Sequence, residues 1–318
     1  MRKSDTFVGD GKVIFSKILC VGGYLPPHTV DNSEIEENFG LKDWIFERTG
    51  IKKRHIADES AVEMGIKALE DALKSSKLPN KDIDYLIVAS NSNDLLIPGM
   101  AGQIQKAFGG KMGGIDMQAG CSGFIQAMEI ADSMIRSESF SNIAIIGTER
   151  LSQIVDFKDP VVGPLFGDGA GAIVMGRTDE AGLIASYSRI QGEGYESLVQ
   201  KRGKKLEMDG KAVFRFAVEA MIEGIKEVLN RAKMKIEDID LIVPHQSNVR
   251  IIYKVAERLN VPVNKFQISI EDHANTAAAS IALALKDAID SKRVKDSNVV
   301  LTVGYGAGLG IAANIFKL

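Results

Sequence analysis

Residues 61–84 read AVEMGIKALEDALKSSKLPNKDID, and residues 217–240 read AVEAMIEGIKEVLNRAKMKIEDID. The two align without a gap at an offset of 156, with nine identities: Ala61, Val62, Glu63, Ile66, Leu73, Lys77, Asp82, Ile83 and Asp84. Each carries apolar residues at helical spacing, then a break, then a short apolar run: YLIVAS at 85–90 and LIVPHQ at 241–246. That pattern is an amphipathic helix followed by a buried strand. The same offset sets CSGFIQAMEIADSMI, from Cys121, on AAASIALALKDAIDS, from Ala277. SNIAIIG (141–147) falls on SNVVLTVG (297–304), which starts at the same offset and ends one residue later. Chance likeness between amphipathic helices does not reproduce one offset in three separated segments. The chain reads as two copies of one α/β unit, each roughly half of it, with helices covering sheets.

Composition sets outer limits. The chain has 318 residues, 45% apolar and 25% charged, which suits a globular protein with a full-sized core. A net charge of −3 gives no broad basic surface for nucleic acid or anionic lipid. Two cysteines, Cys20 and Cys121, make no disulfide framework, and the absence of a CxxC pair argues against a zinc site, so no metal is expected. The opening MRKSDTFVGDGKVIFSK lacks the continuous apolar stretch of a signal peptide. No segment approaches the ~20 apolar residues of a membrane span. The expectation is a reduced, cytoplasmic protein.

The duplication also places the chemistry. Cys121 starts a helix in the first half, and Asn275 lies just before the equivalent helix in the second. His245 ends a strand whose counterpart ends at Ala89. Strand ends and helix starts are where such folds gather ligands. Small neighbours, Gly120, Ser122 and Gly123, let a substrate approach Cys121 closely, and a helix N-terminus favours its thiolate. From position alone, a reactive and an inert buried cysteine stand at even odds. His245 in IVPHQSNVRI, His273 and Asn275 in DHANTAAAS are each open to ordinary structural roles. The glycine-rich stretches LFGDGAGAIVM (165–175) and VGYGAGLGIAA (303–313) are neither a P-loop nor a dinucleotide fingerprint, but their amides suit an oxyanion.

Together these motifs resemble the ketoacyl synthase III family (3-oxoacyl-acyl-carrier-protein synthase III) of the thiolase superfamily. The resemblance runs from about Ile18 to Leu318 through GGYLPP (22–27), WIFERTGIKKRHIA (44–57), AGCSGF (119–124), FGDGAGA (166–172), PHQSNVRI (244–251), HANTAAAS (273–280) and GYGAG (304–308). It implies a thiolase-like five-layered α/β/α/β/α fold from two duplicated halves, here 18–178 and 179–318, with 1–17 as an N-terminal extension, and a homodimer. It implies Cys121, His245 and Asn275 as catalytic residues, and the amides of Cys121, Gly306, Ala307 and Gly308 as an oxyanion hole. Trp44, Arg48, Ile97 and Arg250 would line the substrate or coenzyme A tunnel, and Arg215 and Arg250 would dock an acidic acyl carrier protein. An acyl group would move from its thioester to Cys121. Malonyl carrier protein would then lose CO2, and its carbanion would attack the acyl-cysteine to give a 3-oxoacyl product. No tightly bound cofactor is implied; coenzyme A thioesters and the phosphopantetheine of acyl carrier protein are substrates.

The residue types fit that chemistry. A thiolate is both a good acyl acceptor and a good leaving group. His245 and Asn275 can donate to the enolate oxygen, and a neutral asparagine cannot protonate and quench it. Three departures stand out. Where the family has an arginine closing over adenine, VDFKDPVVGPLFGDG places Pro160 or Val161, and the nearby Lys158 stacks less well than a guanidinium. Ile97 stands where some members have phenylalanine at the end of the acyl pocket. Ala274 replaces a glycine before the asparagine. The alternatives are a specialised relative in secondary metabolism or cofactor synthesis, and a non-catalytic interaction subunit, against which the retained Cys121, His245 and Asn275 argue.

Overall fold

The apolar stripe Met64, Ala68, Leu69 and Ala72 is buried along one helix, Ala61–Ser75. Its start is fixed by a capping box: Ser60 Oγ accepts the Glu63 N–H while the Glu63 carboxylate accepts from Ser60. The computed structural model describes residues 13–40, 42–76 and 78–318. Residues 1–12 of the expected extension, and the shared Lys77, lie outside the described residues.

The first half runs β1 (Phe15–Tyr24), β2 (Thr29–Asp31), α1 (Asn32–Glu36), α2 (Trp44–Thr49), β3 (Lys53–His55), α3 (Ala61–Ser75), β4 (Tyr85–Ala89), α4 (Met100–Phe108), β5 (Gly113–Met117), α5 (Gly123–Arg136), β6 (Asn142–Glu149) and β7 (Gly169–Thr178). The second runs β8 (Leu183–Ile190), β9 (Leu198–Gln200), β10 (Leu206–Met208), α6 (Gly210–Ala232), β11 (Leu241–Pro244), α7 (Val249–Leu259), α8 (Ile270–His273), α9 (Ser280–Asp290), β12 (Val299–Gly306) and β13 (Gly310–Lys317).

The repeat seen in the sequence is a repeat of topology. One sheet has the order β1-β7-β6-β4-β5 and the other β8-β13-β12-β11. In both, the first two pairs in that order are antiparallel and the third is parallel, and in the first sheet β4-β5 adds a second parallel pair. The counterpart of β5 shrinks to a single parallel bridge between Ile242 and Phe266. Short 3-10 turns before the equivalent strands, Asn80–Asp82 and Ile236–Asp238, sit at matched positions in the two copies.

Helices α5 and α9 lie between the sheets, where Phe124, Ile125, Met128, Ile281 and Leu285 share one core with residues of both. Helices α3 and α4 cover the outer face of the first sheet, and α6 and α7 that of the second. The chain thus has the thiolase-like five-layered fold, α/β/α/β/α. One boundary shifts: Phe15, Ser16 and Lys17 are already strand, opposite Thr178, Arg177 and Gly176. Ser16 is buried there, its hydroxyl donating to Asp132 Oδ1 at 2.7 Å, so these residues belong to the first sheet and not to an extension.

Candidate active site

Cys121 occupies the turn Gly120–Ser122 that leads into α5. This turn nests against the one that follows β12, and glycine permits the approach. A Cβ on Gly306 would sit 2.3 Å from the Cys121 nitrogen; one on Gly120, where φ is +59°, would sit 2.6 Å from the Ala307 nitrogen. The two turns, and the backbone amides of Cys121 and Ala307 with them, are therefore packed against each other.

His245 follows β11 directly, its N–H donating to Val303 O at 2.8 Å. Its Nδ1 lies 2.7 Å from Ser280 Oγ at the head of α9. A hydroxyl both donates and accepts, so Ser280 supports either neutral tautomer and leaves Nε2 free to act as base or as donor. Asn275 is held by its backbone: its N–H donates to Leu165 O at 2.9 Å, and its carbonyl accepts from Gly167 at 3.1 Å. Its side-chain Oδ1 accepts the Ala277 N–H at 2.9 Å, which leaves the NH2 as a donor. Ser280 and Ala277 were not singled out in the sequence; their position in the first turn of the repeated helix was the available signal.

Cys121, His245, Asn275 and Gly306 line one cavity, with Ser247, Tyr305 and the apolar Phe166, Leu198 and Met208. Cys121, Phe166 and Leu198 also line a second cavity of about 240 Å³, whose wall adds Leu151, Ile154, Leu206, Ala277 and Ala307. The thiol sits where the two meet. Gly308 lines neither; it supplies the φ of +78° that closes the turn.

Burial dominates the electrostatics. It pushes the Cys121 thiol up to about 12, the Glu149 carboxylate adding to the rise and only the backbone hydrogen bond opposing it. The lowered pKa expected from the helix start is therefore not met: the resting group is a thiol, because a thiolate would lose its hydration in this closed site. Burial also drives His245 down to about 3, so the imidazole is neutral. Glu149, at the end of β6, was missed by the sequence reading. It is fully buried, and burial raises its pKa. It accepts from Asn91 Nδ2 at 2.7 Å, and Asn91 Oδ1 in turn accepts the Gly120 N–H at 3.2 Å. A charged residue ending the apolar run IAIIGTE was the signal for it.

The remaining expected residues divide. Trp44 and Arg48 line neither cavity; they stack on each other on α2, with Arg48 Cζ 5.6 Å from the indole centroid. The Arg48 carbonyl accepts from Asn248 Nδ2 at 3.1 Å, which ties α2 to a residue of the cavity wall. Arg215 and Arg250 are exposed on α6 and α7, whose Val213, Phe214 and Ile251 line the cavity. Ile97 is 89% exposed and lines neither cavity next to Cys121 within its own chain. It lies in the loop between β4 and α4. Pro160 and Val161 are exposed, with Val161 against Gly210 at the start of α6. Ala274 has φ +56° and ψ −160°, a conformation that favours glycine. The family glycine at this position thus has a conformational reason.

Two family descriptions fit the chain. "3-Oxoacyl-[acyl-carrier-protein (ACP)] synthase III" matches residues 115–192, and its C-terminal counterpart matches residues 229–318. A beta-ketoacyl-[acyl-carrier-protein] synthase III of Listeria monocytogenes is 40% identical over 305 residues, covering 94% of this chain and 98% of that protein. The crystal structure of 3-oxoacyl-[acyl-carrier-protein] synthase III from Aquifex aeolicus superposes with a TM-score of 0.92 at 37% identity, covering 95% of this chain and 100% of that one. The priming beta-ketosynthase of the R1128 polyketide pathway superposes with a TM-score of 0.93 at 34% identity, with 98% of each chain covered.

Proposed function

The chain belongs to the 3-oxoacyl-[acyl-carrier-protein] synthase III family, and we propose that it performs the reaction for which those relatives are named. It is a condensing acyltransferase of fatty acid initiation. It moves an acyl group from a thioester to Cys121 and joins it to malonyl-acyl carrier protein, with loss of CO2, to give 3-oxoacyl-acyl carrier protein. The observation that carries this reading is the convergence of Cys121, His245 and Asn275 on one cavity, with the asparagine NH2 left free to donate.

The two half-reactions use the site differently. In acylation, the Cys121 sulfur attacks the thioester carbonyl. Its proton passes to Nε2 of neutral His245, with Nδ1–H held by Ser280, and then to the departing thiolate. The developing oxyanion lies on the amides of Cys121 and the Gly306–Gly308 turn; one such donor is worth about 3–4 kcal/mol. In condensation, the C–C bond to the malonyl carboxylate breaks, and its electron pair moves to the thioester oxygen. His245 Nε2–H and Asn275 Nδ2–H hold that oxygen, the Ser280 hydroxyl now donating to Nδ1. The enolate carbon attacks the acyl-cysteine, and the released Cys121 sulfur takes up a proton from solvent, as its raised pKa favours, so that one proton is consumed for each CO2 released. The substrates supply every reacting carbon, so the chemistry runs on thioesters of coenzyme A and of phosphopantetheine.

The reading includes a homodimer and a cytoplasmic setting shared with the carrier protein. Arg215 and Arg250, exposed on the two helices that flank the cavity, are placed to meet an acidic carrier. The second, apolar cavity takes the acyl chain, and Trp44 with Arg48 offers one stacking face to a nucleotide. Pro160 and Val161 supply no guanidinium for the other face. That departure, with the likeness to the R1128 priming ketosynthase, favours a second reading in which the primer and pathway are specialised.

The test is incubation with a panel of acyl thioesters read by intact-protein mass. One acyl adduct is expected, and Cys121→Ala abolishes it. Asn275→Ala still acylates but releases little CO2 from malonyl carrier protein. An Asn275→Ala enzyme as deficient in acylation as Cys121→Ala would contradict the assigned roles.

A further inference from the structure

Two buried hydroxyls in the catalytic cavity have no part in the chemistry above. Tyr305 Oη and Ser247 Oγ lie 2.6 Å apart, and their residues are 4% and 7% exposed. Each hydroxyl carries one proton, and the bond between them uses one. Among the described residues neither makes another hydrogen bond, so one O–H of the pair has no protein acceptor. Both residues line the cavity that holds Cys121, His245 and Asn275, and the open space beside them is that cavity.

The surroundings say what the spare proton meets. Among the described residues no Lys, Arg, Asp or Glu side chain lines this cavity, so an anion entering it finds no counter-charge from them. His245 is neutral and, in the condensation step, is committed to the thioester oxygen. The Tyr305 ring packs edge-on against the His245 ring, 5.4 Å between centroids. The Tyr305 ring, and with it the hydroxyl pair, therefore stands beside His245 in the cavity wall. A substrate arm ends there at its thioester carbonyl, and past that carbonyl the extender unit has one polar group, its carboxylate.

We propose that the Tyr305–Ser247 hydroxyl pair recognises the extender, donating its one uncommitted proton to the malonyl carboxylate. The inference rests on the condensing reading given above. The pair binds the carboxylate with a single neutral donor, which selects a malonyl over an acetyl thioester without a cation that would hold the charge in place. When the C–C bond breaks, the electron pair goes to the enolate oxygen and CO2 leaves uncharged. The hydroxyls keep their protons throughout.

Either single substitution, Tyr305→Phe or Ser247→Ala, leaves one hydroxyl with one proton and is expected to change little. The double variant Tyr305→Phe/Ser247→Ala keeps the aromatic ring and removes both donors. Wild type and variants are first acylated at Cys121, then titrated with malonyl-acyl carrier protein while CO2 release is followed. In the double variant KM for the malonyl substrate is expected to rise about tenfold, or about 1.4 kcal/mol, with kcat not reduced. Each single variant is expected to shift KM less than about threefold, and the rate of Cys121 acylation is expected to stay within about twofold, on the scale set by one hydrogen bond to a charged group. Tyr305→Phe/Ser247→Cys, which offers only a weak S–H donor in nearly the same volume, is measured beside it with the same expectation.

A KM within about twofold of wild type in both double variants would overturn the inference. So would acylation that slows as much as KM rises, since the pair would then serve the arm common to both half-reactions. A wild-type protein that forms no acyl-Cys121, or releases no CO2, removes the condensing reading itself and this inference with it, before any variant is compared.

Discussion

Replacing Gly306 with alanine tests the packing on which the nucleophile depends. The residue has φ −164° and ψ −177°, extended backbone that alanine adopts without strain. The cost is therefore one of contact alone. The new Cβ would lie 2.3 Å from the Cys121 nitrogen, 3.0 Å from the Gly120 carbonyl carbon and 3.1 Å from Gly120 Cα. All three are backbone atoms, so no side chain can turn aside. To reach an ordinary contact near 3.4 Å, the two turns must part by about 1 Å. Overpacking of this kind costs about 1–3 kcal/mol of stability. A reacting group displaced by about 1 Å loses about a hundredfold in rate. Acylation of Cys121, followed by intact mass at saturating thioester, should fall about a hundredfold in Gly306→Ala, while a thermal melt shows a folded protein. Gly308→Ala is the contrast: nothing lies within 4 Å of its Cβ, and the cost is the φ of +78° alone. Its acylation rate should fall much less. Equal losses in the two variants, or a Gly306→Ala enzyme acylated at the wild-type rate, would refute the reasoning.

Two further outcomes follow from burial. His245 is held to about 3 when folded, against an ordinary value of 6.5, so below pH 6.5 the unfolded chain binds a proton that the folded chain refuses. Stability from this residue is intact above pH 6.5 and is lost as pH falls toward 3, by about 2–3 kcal/mol between pH 6.5 and 4.5; urea unfolding of His245→Gln should show a shallower acid limb, and an unchanged pH slope would count against it. The exposed apolar run Leu95, Leu96 and Ile97 lies beside the edge strand β5, where Ile115 is also exposed, so sedimentation should report twice the 34.4 kDa chain mass; Ile115→Lys should shift it toward the monomer, and a wild-type monomer at all concentrations would end the dimer reading.

What the sequence made legible follows from where its information is local. Helix period, apolar strand runs and their recurrence at one offset depend on near neighbours and on burial of one face. They led from residues 61–84 and 217–240 to two like α/β units with helices covering sheets, while the five layers came from the family resemblance and the strand order was not read. The fifth strand of the second sheet was not legible, because a parallel bridge of one residue pair at Phe266 leaves no pattern. The identities of Cys121, His245 and Asn275 came from motifs, but their electrostatic states did not. A helix start lowers a thiol pKa only if water or a cation can support the charge, and whether the turn at Cys121 is sealed depends on residues 185 positions away at Gly306. Glu149, Ser280 and Ser247 were passed over for the same reason: whatever local signal each carried, its partner is distant in sequence.

Ala274 shows how a departure from a motif becomes readable once its backbone is seen. With φ +56° and ψ −160° it holds a conformation nearly confined to glycine, at a cost of about 1–3 kcal/mol. It is fully buried, and its neighbours account for why it stays there. Its own N–H donates to Ile270 O at 2.9 Å, and the following residue is fixed on both sides, Asn275 N–H to Leu165 O and Gly167 N–H to Asn275 O. A relaxed alanine would rotate the peptide that carries Asn275 and pull its amide out of the cavity. The bridge between Phe166 and Asn275 therefore opposes the strain that the alanine introduces. On the proposed reading of the site, the strand-like segment 165–167 supports the chemistry indirectly: it holds one residue out of its preferred conformation so that the next can donate to the substrate.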